Sequence, residues 1–78
     1  SVYYRMGYAS GEKVADQCKR EILNVYAKED LANLAGLKLN NIRSQSKTSL
    51  CQHEQWGTGF WDGFMTWALD FTGLEKGE

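Results

Sequence analysis

Apolar residues recur at helical period from Trp56 to Phe71, WGTGFWDGFMTWALDF, and no Lys or Arg interrupts them. Trp56, Phe60, Phe64, Trp67 and Phe71 stand at i, i+4, i+8, i+11 and i+15, one continuous stripe, with Trp61, Met65 and Leu69 in a second row beside it. This pattern predicts a long helix with more than one apolar face over residues 49–72. Such a helix is either the centre of a small bundle or an element that buries part of itself against a partner. Ser49-Leu50-Cys51-Gln52 fits a capping box that would start the helix, and Gly73 would end it. Gly57 and Gly59 each cost roughly 1 kcal/mol relative to Ala and predict a bend or interruption before Phe60. Gly59 and Gly63, four apart, form a small-residue face that another backbone can approach closely.

Upstream, Val14, Cys18, Ile22 and Val25 fall on one stripe with Ala15 and Tyr26 beside it, while Asp16, Lys19, Arg20 and Lys28 lie away from it. This predicts an amphipathic helix over residues 11–28, capped by Ser10. Residues 29–37 read as a short second helix, with Asp30 near its start, Leu31, Leu34 and Ala35 inward and Gly36 as its stop. Leu37, Leu39 and Ile42 extend the apolar content until Asn40-Asn41 interrupts it, and 44–49 is the most loop-like segment. Residues 1–9, with three tyrosines around Gly7, read as an extended aromatic arm lying over the bundle. The last residues, 74–78, form a short polar tail. The expected fold is a small all-α bundle of three main helices in one domain, 1–78.

Seventy-eight residues allow only a thin core, so a staple is expected. Cys18 and Cys51 are the candidates. A bridge between them would contribute about 3.5 to 4 kcal/mol in the chain-entropy model, and the alternative is a pair of buried free thiols. The chain starts at Ser1, which fits either a cleaved leader or trimming for expression. A small chain with two cysteines favours the leader, and with it a periplasmic or secreted location; a cytoplasmic one is the alternative. No apolar run reaches membrane-spanning length, so stable membrane insertion is not expected.

Charge is split along the chain. Residues 1–50 hold eight of the nine Lys and Arg against five acids, whereas residues 51–78 hold one Lys against five acids. The aromatic third is therefore acidic, which weighs against nucleic acid as a partner, since its rings lie among Glu54, Asp62 and Asp70.

No catalytic constellation is evident, and no cofactor is expected. Cys51-x-His53 would place the two side chains about 200° apart on a helix, which disfavours both a zinc site and a Cys-His nucleophile. Glu54, Asp62 and Asp70 follow one side of the long helix; a hydrolase built on them would need a groove between two carboxylates and a raised pKa on one. The reading that remains is a binding protein. Large aromatics exposed beside acids have the composition of a protein-binding hot spot. The candidate residues are Trp56, Trp61, Asp62, Met65, Trp67 and Asp70, with at least one of the three tryptophans partly exposed and a basic partner surface favoured. The alternative is a cytosolic regulatory or structural module that homodimerises through the Gly59/Gly63 face.

The order Tyr8-x-Ser10-Gly11-x-x-Val14-x-x-x-Cys18, then Cys51 followed by Gly59-Phe60-x-x-Gly63, is similar to small exported helical immunity proteins of the Rap1a/Tai type. In those a glycine-led helix ends in Cys and a second Cys precedes a glycine-aromatic-glycine helix. The resemblance implies an exported, all-helical, disulfide-containing protein that binds and blocks an enzyme, such as a toxin.

Overall fold

A computed structural model of the chain describes residues 1–74, so the end of the expected polar tail, 75–78, lies outside the described residues. Among the described residues there are four α-helices and no strand: α1 (Val2–Gln17), α2 (Lys19–Leu23), α3 (Lys28–Gln45) and α4 (Glu54–Thr72), with a single 3₁₀ turn, Leu50–Gln52, ahead of α4.

The N-terminal segment is helix, not an extended arm. Ser1 caps it, its hydroxyl accepting the Tyr4 N–H at 3.2 Å, so Ser10 is an interior residue and caps nothing. Two glycines inside one helix cost roughly 1 kcal/mol each in propensity, and the compensation comes from α4. Tyr4 lies over Gly59 and Tyr8 over Gly63, while Gly7 lies over Trp56 and Gly11 over Phe60. Both numbers rise together, so α1 and α4 run parallel. At each of these four glycines a Cβ would fall well inside 3.0 Å of a carbonyl oxygen of the facing helix. The two helices therefore meet backbone to backbone, an approach that only a missing side chain permits.

The amphipathic helix expected over 11–28 is broken at Cys18, which has φ −103° and ψ 21° and whose N–H is shared between the Val14 and Ala15 carbonyls. Beyond the break Ile22 is fully buried, but Tyr26, expected beside the stripe, is 85% exposed. The second helix does not stop at Gly36; α3 runs on to Gln45. Leu31, Ala35, Leu39 and Ile42 continue a single inward stripe, with Leu31 and Ala35 buried and the other two packed against the core, while Asn40 and Asn41 face solvent. Burial of that stripe overrides the local breakers. Arg43 near the end of α3 lies at the start of α4 and Gly36 lies by Trp61, so α3 runs antiparallel to α4.

The start of α4 also differs from the expected capping box. Ser49 makes no side-chain cap, and the Gln52 amide donates to the Arg43 carbonyl at 2.7 Å. The cap is His53, whose Nδ1 accepts the Gln55 N–H at 3.1 Å. α4 then continues uninterrupted through Gly57 and Gly59 and ends at Gly73, in the left-handed region at φ 69°, whose N–H bonds the Leu69 carbonyl at 2.8 Å.

The core is centred on α4. Phe60 and Phe64 are fully buried among Ala15, Ile22, Leu31, Ala35 and Ala68. Cys18 and Cys51 are both buried free thiols, so the expected disulfide is not present. They lie at different points along α3: Cys18 lies in the field of Lys38, whereas the Cys51 carbonyl accepts from Arg43. Those two residues are five positions apart, about 7.5 Å of helix rise.

The glycines sort into two kinds, and alanine substitution separates them. Gly11→Ala and Gly63→Ala set a methyl against rigid backbone and should destabilise by about 3 kcal/mol or more, a large part of the stability of so small a domain. Gly36→Ala places its methyl 3.6 Å from the Trp61 ring, an ordinary contact, and gains up to about 1 kcal/mol of helix propensity. Thermal unfolding followed by circular dichroism should show the midpoint falling or lost in the first two variants and raised in the third.

Candidate functional site

α4 presents three sides. One is occupied by α1 through Gly59 and Gly63, which leaves no room there for a second copy of the chain. The second faces α3, and the third faces solvent. Of the residues expected to form a binding surface, Trp56 and Met65 belong to the core, at 7% and 9% exposure. Trp56 stacks on Phe60 with ring centroids 5.6 Å apart. Neither is available to a partner. Trp67 is half-buried, stacked on Phe71 at 4.9 Å and packed against the core.

Trp61 and Asp70 are exposed, and Asp62 is half-buried. Trp61 is 38% exposed and rests against α3 at Gly36. Asp62, the next residue, turns to the other flank, where its Oδ2 accepts the Tyr4 hydroxyl at 2.6 Å. That carboxylate is the main cause of a Tyr4 phenol held above its ordinary value, with desolvation adding to it. Trp61 and Asp62 thus straddle the crest of α4, and Asp70 lies about two turns further along.

Beside Trp61 a groove of about 580 Å³ opens between α3 and α4, within the size range of ligand-binding clefts. Leu39 and Trp61 supply its apolar walls, and Glu54 and Thr58 come from α4. Its polar end is built by Arg43, whose Nε donates to the Cys51 carbonyl at 2.7 Å and whose Nη2 donates to the His53 carbonyl at 3.3 Å. Gly57 makes this possible, because a Cβ there would collide with the guanidinium. The Arg43 side chain therefore ties the end of α3 to the 3₁₀ turn and the start of α4 and forms one end of the groove. Sequence reasoning did not find this groove. Its signals are an arginine near a helix end and a glycine fourteen positions later, and no periodicity connects them.

At the N-terminal ends of α1 and α4, Tyr3 stacks on His53 at 3.9 Å with the rings 4° from parallel, and the Ser1 hydroxyl bonds the Gln55 side chain. His53 is thus engaged in a ring stack and a helix cap, and Cys51 is buried. At the other end Lys38 pairs with Glu21 at 3.0 Å, and this bond raises the Lys38 ammonium. Burial pushes the Cys18 thiol up, while the Lys38 charge works in the opposite direction. Among the described residues no group of three His, Cys, Asp or Glu side chains is gathered to hold a metal ion, and no helix is long and apolar enough to cross a membrane.

Two outcomes follow from this geometry. In a spectrophotometric titration, Asp62→Asn should lower the pKa of one of the four tyrosines. A raised phenol pKa means that the Tyr4–Asp62 bond supports the fold while Tyr4 is protonated. That support is lost as pH climbs through the raised value, and the variant should show a weaker alkaline loss of stability. In the second experiment, a thiol-alkylating reagent should leave the native protein largely unmodified and add two groups on unfolding without any reductant; a requirement for reductant would mean a disulfide. No family model, no curated protein and no solved structure matches this chain.

Proposed function

We propose that the chain is a small non-enzymatic protein that binds and inhibits or neutralises a partner protein, in the manner of an exported inhibitor or immunity protein. Its binding surface is the solvent side of α4 around Trp61, Asp62 and Asp70. The observation that carries the reading is Trp61 itself, a large ring left 38% exposed at the edge of a groove. Indole rings flanked by polar groups are the commonest anchors of protein interfaces. Buried Trp56 and Met65 support the surface from beneath.

The free thiols favour a second reading of the compartment, in which the same binding module works in a reducing environment, where cysteines persist unpaired. Fractionating the cells that make the protein separates the two locations.

The binding function is tested by immobilising the chain, capturing partners from the cells that produce it, and repeating the capture with Trp61→Ala after circular dichroism has shown α4 intact. Truncating an anchor residue costs about 2 kcal/mol or more, roughly thirtyfold in affinity. A partner retained by the wild type and lost by Trp61→Ala is the expected result. Retention indifferent to Trp61, or no retention at all, counts against it.

A further inference from the structure

We infer that the surface around Trp61 joins two copies of this chain about a two-fold axis, with Trp61 of each copy seated in the groove of the other and Arg43 of each facing Glu54 of the other. The pairing uses the same surface as the function proposed above and does not rest on it. Two copies would have to separate before a partner protein reached Trp61.

The groove carries one charge of each sign. Arg43 and Glu54 both line it, and among the described residues neither is in an ion pair, with the other or elsewhere. The Cys51 and His53 carbonyls accept from Nε and Nη2 of Arg43, which fixes the guanidinium without neutralising it. Its remaining N–H groups can still meet an acceptor. An occupant of a single sign fails here, because a cation meets Arg43 as a like charge and an anion meets Glu54. An uncharged occupant covers both ions and leaves them unpaired, which is costly. The groove therefore calls for an occupant that carries both signs, and the same surface on a second copy is one. A two-fold axis sets residue i of one copy on residue j of the other, and j on i. A patch with one unpaired cation and one unpaired anion is thus complementary to itself.

Shape repeats the pattern. Trp61, 38% exposed, stands at the edge of a groove of about 580 Å³ that Leu39 also lines. The surface holds both an open indole and a cleft with apolar lining, so in a two-fold pair each ring enters the facing cleft. There is also room for such a contact. Helices of 18 and 19 residues rise about 27 to 28 Å, so α3 and α4 lie along the longest axis of a molecule measuring 37 by 23 by 18 Å. A long side of that size offers on the order of 800 Å², the share that one partner gives to a standard interface.

The test is the mass of the full chain in solution, by sedimentation or light scattering across a hundredfold range of concentration. The mass should rise from one chain to two. Trp61→Ala, with helicity intact, should remain a single chain throughout, and so should Glu54→Arg, which sets two cations against two. Arg43→Glu should also stay single, and an equal mixture of Glu54→Arg and Arg43→Glu should restore the pair, because each new charge then faces its opposite. Arg43 also ties α3 to α4. If Arg43→Glu loses helicity, the ¹⁵N spectrum decides in its place: dilution should move the Trp61 indole N–H and Gly57 amide signals of the wild type and leave those of Glu54→Arg unmoved. The inference is overturned by a single chain at every concentration, by a dimer that Trp61→Ala or Glu54→Arg leaves unchanged, or by a folded mixture that does not pair. A captured partner with no dimer would sink this pairing and leave the binding function standing; a dimer with the expected variants and no captured partner would do the reverse.

Discussion

The fold depends on the contact of two backbones. α1 and α4 lie parallel, with the Tyr4 and Tyr8 carbonyls seated over Gly59 and Gly63 and the Trp56 and Phe60 carbonyls over Gly7 and Gly11. An interface of this kind gains its attraction from many close atom pairs and from weak Cα–H···O contacts, and it needs few large side chains. That suits a chain of 78 residues, which has little apolar material to spend on a conventional helix interface. It also explains why Phe60 and Phe64 are free to form the centre of the core: neither is needed to fill the space between α1 and α4.

Once α1 occupies one side of α4, the remaining geometry is constrained. A parallel pair requires the chain to return between its two members, and α3 makes that return antiparallel to α4, closing over Phe60 and Phe64 with Leu31 and Ala35. The return leaves the C-terminal end of α3 beside the N-terminal end of α4, where the connecting turn exposes carbonyl groups. Arg43 satisfies two of them, and Gly57 leaves the guanidinium room to do so. The groove beside Trp61 is a consequence of this arrangement. α3 is held close to α4 by Arg43, whose guanidinium occupies the space over Gly57, and rests on the Trp61 ring near Gly36; the groove lies along these two contacts.

Much of the architecture could be read from residue spacing. The apolar series from Trp56 to Phe71 and the stop at Gly73 predict the long helix α4, and the helical class follows; of that stripe Trp56, Phe60 and Phe64 are buried, Trp67 is half-buried and Phe71 is exposed. What escaped was whatever depends on contacts distant in sequence. Gly7 and Gly36 look like breaks when judged by local propensity, yet one lies in a backbone interface and the other beneath a tryptophan ring, where tertiary packing outweighs propensity. Gly59 and Gly63 announce a close approach; Gly7 and Gly11 have the same spacing, but nothing local in the sequence pairs the two sets, and that pairing is what makes the N-terminal segment a helix. The cysteines misled for a different reason. Their number fits a staple, but a disulfide is decided by the distance between two sulfurs, and counting residues carries no information about that distance. For the surface, the aromatic stripe identified the right helix and could not assign its sides. Trp56 and Met65 are buried in the core, whereas Trp61, beside Gly36 of α3, keeps 38% of its surface exposed.

That last asymmetry bears on function. A tryptophan next to a larger residue at position 36 would find more of its ring covered; the glycine leaves α3 flat beside the indole, where the proposed partner would reach it. The same substitution to alanine that strengthens α3 as a helix would therefore bring a methyl against the Trp61 ring and remove part of the surface on which the proposed contact depends. Helix propensity and access to Trp61 pull in opposite directions at this position. The same residue is a weak point of α3 and an opening beside α4, which is the pattern expected where stability is exchanged for a binding surface.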